Sequence, residues 1–204
     1  MPALQLIFLH PVRAAEMLQR APRWLPAFLL VAAGLIALRI AGHSHLVEST
    51  LAALPPTATA ADRSWARSLL DDELVLRCVF LPVRQAAGMG IFAFFLFVLC
   101  TAFGPPVRAR FKHVLALEVH AEVFNLLGGF LSLAITLSGA DSALLTSAKI
   151  FTLWYVAALT AGIAVLFGYS KLKACLLAST AWIVSVLLNL FLLESVSASM
   201  HIRL

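Results

Sequence analysis

A chain of 204 residues that is 62% hydrophobic and only 12% charged has about half the charged share of a soluble globular domain. With a mean hydropathy of +0.96, that composition excludes the ordinary soluble classes. The net charge of +5 does not signal nucleic-acid binding, because no stretch joins a dense basic stripe to stacking aromatics.

The opening MPALQLIFLHPVRAAEMLQRAPRW lacks the order of a signal peptide, since its apolar start precedes its basic residues. Residues 1–23 read as an amphipathic cytoplasmic segment. Within it, Pro11 to Gln19 form a short helix lying on the membrane surface, with Val12, Ala15, Leu18 and Gln19 at its apolar edge. Residues 24–200 then form the membrane domain, with spans at 24–42, 88–104, 113–138, 149–170 and 175–196. Each is near the ~20 residues that cross ~30 Å of hydrocarbon at ~1.5 Å per residue. Residues 43–85 make a loop on the far side. The linker LPPTATAA precedes an amphipathic helix there, whose Trp65, Leu69, Leu70 and Val75 are available to dock on the membrane face. The run Asp71, Asp72, Glu73 spreads over roughly 200° of a helix, so it reads as a solvated face rather than a catalytic cluster.

The predicted fold is therefore all-α, a five-span polytopic membrane protein. The second span, rich in phenylalanine, is expected to face lipid. The short turns with Arg108, Arg110 and Lys112 and with Lys171 and Lys173 share a side with Arg13, Arg20 and Arg23. By the positive-inside rule that side is cytoplasmic, which puts the C-terminus outside. Abundant Arg, Ala and Leu point to a bacterial inner membrane.

The third span poses the chemical question. At ~100° per residue, Glu118, Glu122, Asn125, Gly129, Ser132 and Thr136 fall within about 40° either side of Glu118. A charge near mid-bilayer costs on the order of 2.5–3.5 kcal/mol, so this stripe must face other helices or water. One reading makes it a packing seam, with Tyr155 on the fourth span and Ser185 or Asn189 on the fifth as candidate partners. The other makes it a path for protons, ions or lipid headgroups. His113 and His120 lie on the opposite face, and no second span offers a matching His, so no metal site or cofactor is expected. Cys78, Cys100 and Cys175 are far apart, without metal spacing, and read as small apolar fillers. No GxSxG, HExxH, phosphate loop or dinucleotide fingerprint is present, so no catalytic residue is assigned.

LHPVRAAEMLQRAPRW before the first span, FKHVLALEVHAEVFNLLGG in the third and the GYSKLKA turn resemble the bacterial branch of the Yip1-domain family of small five-span membrane proteins. The resemblance covers nearly the whole chain. It implies an all-helical fold with the N-terminus cytoplasmic and the C-terminus outside. Eukaryotic members of that family are associated with membrane traffic and Rab GTPases through a longer acidic N-terminal region with a DLYGP-type motif. That region and motif are missing here, so GTPase binding is not carried over, and the family supplies no agreed catalytic residues. The expected function is a non-enzymatic organiser of membrane or partner proteins, as an accessory subunit of a larger complex or a self-associating unit. The alternative is a transporter, channel or scramblase working through the acidic stripe.

Overall fold

The computed structural model describes residues 2–104, 109–139 and 149–201, and the side chains of all of these except residues 2, 189 and 191–201. In chain order the described helices are α1 (Pro2–Leu9), α2 (Pro11–Arg20), α3 (Leu25–Ala52), α4 (Ala60–Ala102), α5 (Phe111–Leu137), α6 (Ile150–Phe167) and α7 (Lys171–His201). No strand occurs among the described residues. The last five helices are each long and apolar enough to cross a membrane.

The third span, α5, is the axis of the bundle. Of its most apolar stretch 61% is buried, against 17–39% for the other four candidate spans. Small residues let its neighbours approach. Gly34 of α3 lies against Leu126, Leu38 against Gly129, and Gly42 against Leu133, so α3 runs parallel to α5. The α6 helix runs antiparallel: Leu117 fills the space where Gly162 has no side chain, and Phe124 stacks on Trp154. A Cβ on Gly162 would stand 2.2 Å from Leu117 Cδ2, which makes glycine a packing requirement there. The α4 helix is also antiparallel, with Phe97 on Phe111 and Gln85 beside Glu122.

At the end of the bundle where α5 begins, Gly168 adopts a left-handed conformation (φ 67°) that stops α6 and allows the turn into α7. Tyr169 there donates its hydroxyl to the Cys100 carbonyl at 2.7 Å, and Lys173 bonds the Phe103 carbonyl while its ammonium sits over the Tyr169 ring. The end of α4 is thereby tied to the α6–α7 turn.

The N-terminal segment differs from the surface helix expected from its sequence. It forms two helices that pack into the bundle as a hairpin. Leu4 packs against the cluster that includes Ala27 and Val119, and Phe8 meets Phe124 at 4.6 Å, about 20 Å along α5 from its first residue at ~1.5 Å per residue. Ile7 and Ala14 belong to the main core, and α2 returns along α6. The buried face of α2 is Ala14, Ala15 and Leu18, whereas Val12 is exposed. The sequence pattern located an amphipathic helix correctly, but its apolar face was already claimed by protein.

The α3–α4 connection differs as well. Rather than a separate helix docked on the membrane face between 43 and 85, the chain continues α3 to Ala52 and starts α4 at Ala60. At 43 residues, α4 is about 65 Å long, roughly twice the hydrocarbon thickness. Thr59 opens it with a reciprocal capping box: Asp62 N–H donates to the Thr59 hydroxyl oxygen, and Asp62 Oδ2 accepts from Thr59 N–H. Pro82 lies inside the helix without ending it. Proline removes one backbone donor, a loss that intramembrane helices tolerate. Trp65, Leu69 and Val75 are exposed on α4. Asp71 pairs with His43 at 2.7 Å and so ties α4 to α3, while Glu73 pairs with Arg77 one turn along α4 itself.

The phenylalanine-rich span has two faces. Phe94 and Ile91 point outward, while Phe92, Ala93, Leu96 and Cys100 are buried in the core. Of the other cysteines, Cys78 is half-buried and Cys175 is exposed on α7, so the filler reading applies fully to Cys100 alone.

Candidate functional site

Glu118 and Glu122 lie one turn apart on α5 and turn inward, each towards a different helix. Glu118 is 3% exposed. Both its carboxyl oxygens lie 2.9 Å from the Tyr155 hydroxyl of α6. A hydroxyl carries one proton, so the two contacts are made by bifurcated donation or by a proton shared from the carboxyl side. The Tyr155 ring is itself buried and packs at 6.4 Å from Phe92 of α4. Hence α4, α5 and α6 meet at this point.

Glu122 takes its donors from its own helix and from α4. Asn125 Nδ2 donates to Glu122 Oε2 at 2.9 Å, and Gln85 Nε2 reaches Oε1 at 3.4 Å, a longer and weaker contact. Neither glutamate is ion-paired among the described residues. Their lone pairs are met by neutral donors, the arrangement that buried acids need away from water.

Beyond Asn125 the stripe opens. A cleft of about 370 Å³ is lined by Asn125, Gly129 and Ser132 of α5 together with Thr152 of α6 and the preceding Lys149. Glu122 does not line it; the Asn125 amide stands between. Thr136 is exposed and donates its hydroxyl to the Ser132 carbonyl, closing a local bond on its own helix. The stripe thus has a closed, hydrogen-bonded half and an open half.

Of the partners expected from sequence, Tyr155 is brought to the stripe. Ser185 sits half-buried on α7. The Asn189 side chain lies outside the described residues. Gln85 was missed by sequence reasoning because a boundary at 88 left it in the loop. The uninterrupted helical continuation upstream of that boundary was the signal that could have found it.

His113 and His120 are both buried on α5, away from the carboxyls. His113 Nδ1 accepts from the Arg110 N–H at 2.9 Å and so caps the start of the helix. His120 Nδ1 is 2.7 Å from the Ala116 carbonyl. Among the described residues, no three of His, Cys, Asp and Glu gather as a metal site would require. Comparison of the chain with protein-family models, curated proteins and solved structures found no match.

Proposed function

We propose that the chain is a non-enzymatic, multi-pass membrane protein that organises membrane or partner proteins, with the carboxyl cluster of α5 as an interhelical clamp. The observation that carries this reading is the pairing of Glu118 with Tyr155 of α6 and of Glu122 with Gln85 of α4. Glu118 turns both carboxyl oxygens to a neighbouring helix, and Glu122 divides its acceptors between Asn125 of its own helix and the longer contact to α4. Intramembrane polar residues used in this way join helices where hydrophobic driving force is weak. The likeness to the bacterial Yip1-domain proteins and the positions of the basic turns support a bacterial inner membrane, a cytoplasmic N-terminal hairpin and an outward C-terminus.

A second reading, transport, is favoured by the cleft that stops at Asn125, one hydrogen bond from Glu122. Reconstitution in proteoliposomes separates the two. For a clamp, Glu122→Gln leaves proton, ion and lipid fluxes at the level of the unsubstituted protein while changing thermal stability. A flux present in the unsubstituted protein and abolished by Glu122→Gln would establish transport instead.

A further inference from the structure

A second cavity lies on the other side of α5, where the α1–α2 hairpin closes against the start of α3. It measures about 210 Å³ and is lined by Leu4, Met17, Leu18 and Ala27, with Arg23 and His120 as its polar groups. For scale, an engineered apolar cavity of ~150 Å³ binds benzene. The carboxyl clamp makes no use of this space.

The polar groups define what fits. The Ala116 carbonyl can only accept a hydrogen bond, so His120 Nδ1 carries the proton that reaches it. In the neutral ring Nε2 is then a bare acceptor. It has no hydrogen-bond partner among the described residues and is accessible rather than sealed, His120 forming part of the cavity wall. Arg23 is an exposed residue at the cavity's edge, with no ion pair among the described residues. It precedes Trp24, the exposed aromatic at the start of α3, a residue type enriched at headgroup level. A complementary ligand therefore carries an anion for Arg23, a hydroxyl donor for His120 and apolar surface for the remaining wall. The arginine disfavours a metal cation on the lone imidazole.

We propose that this cavity binds the headgroup of an anionic, hydroxyl-bearing glycerophospholipid. Its phosphate pairs with Arg23 and its headgroup hydroxyl donates to His120 Nε2. The cavity is too small for a whole phospholipid, so the acyl chains run out past Leu4 and Met17 into the leaflet on the α2 side. The hairpin thereby becomes a lipid-reading element, a role distinct from the clamp.

The test is native mass spectrometry of the full chain in detergent, titrated separately with phosphatidylglycerol and phosphatidylcholine, alongside thermal unfolding. The expected result is one retained phosphatidylglycerol, at least tenfold preferred over phosphatidylcholine, with a matching rise in Tm. Arg23→Gln is expected to remove about tenfold of that preference. Ala21→Trp, at the exposed rim of the cavity, is expected to abolish retention without changing the lipid-free Tm. Equal retention of the two lipids, or retention unchanged by both variants, would overturn the proposal. Displacement of the lipid by soluble glycerol phosphate at equal concentration would also overturn it, because the ligand would then come from water rather than the leaflet.

Discussion

Replacing Tyr155 by Phe deletes one oxygen and leaves the ring that packs on Phe92. The loss falls on Glu118, which has no other hydrogen-bond partner among the described residues and is 3% exposed. Leaving a buried acceptor unsatisfied costs about 1–3 kcal/mol, whereas interhelical hydrogen bonds in membranes average ~0.6 and reach ~1.7 kcal/mol. The buried, two-oxygen geometry puts this case at the upper end of the membrane range, about 1–2 kcal/mol. For a chain of this length that corresponds to a fall in Tm of roughly 2–8 °C. Thermal unfolding in detergent, read by tryptophan fluorescence, measures it, since Trp154 adjoins the site. Glu118→Gln keeps an acceptor for Tyr155 and is expected to lose less. A double-mutant cycle of Tyr155→Phe with Glu118→Leu should return a coupling of about 1 kcal/mol. Zero coupling, or an unchanged Tm for Tyr155→Phe, would refute the clamp.

Gly162→Ala forces a methyl into Leu117, which is itself 2% exposed and has little room to yield. Overpacking of this kind costs about 1–3 kcal/mol, and unfolding in detergent should show it, with partial rescue by Leu117→Ala. Ile7→Ala tests whether the N-terminal hairpin belongs to the core. Ile7 is 1% exposed, and truncation of a core isoleucine costs about 2–5 kcal/mol, whereas a surface-lying helix would leave Tm unchanged. The Thr59 hydroxyl and amide hold the Asp62 carboxyl below its ordinary pKa. Its cap is therefore fully present above about pH 3.9, the unfolded value, and is lost as pH falls through the lowered folded value. Amide exchange over residues 60–63 should accelerate in that acid window, and Thr59→Ala should bring the acceleration to higher pH.

The class of the protein was legible because apolar runs near the bilayer thickness leave few alternatives. Their ends were harder to read. The boundary at 88 followed the rise in hydropathy, but α4 continues through Arg84 and Arg77 because helical hydrogen bonding does not depend on side-chain polarity. The stripe was legible from angular spacing, and Tyr155 could be named because a buried acid needs a donor on a facing span. Its other partner, Gln85, depended on helix register along α4, which hydropathy does not fix. The N-terminal hairpin was the largest departure. An amphipathic moment locates an apolar face, but it does not say whether lipid or α6 covers it. The cavity at His120 follows from that docking and could not be read before it.

The central claim is that the acidic edge of α5 is turned away from lipid. A nitroxide scan of single cysteines along residues 115–137 in bilayers, in a background lacking the native cysteines, tests it most directly through oxygen accessibility. Low values at 118, 121 and 125 with maxima at 127, 130 and 131, where the leucine and phenylalanine side chains are exposed, are the predicted result. Maxima at 118 and 122 would contradict it.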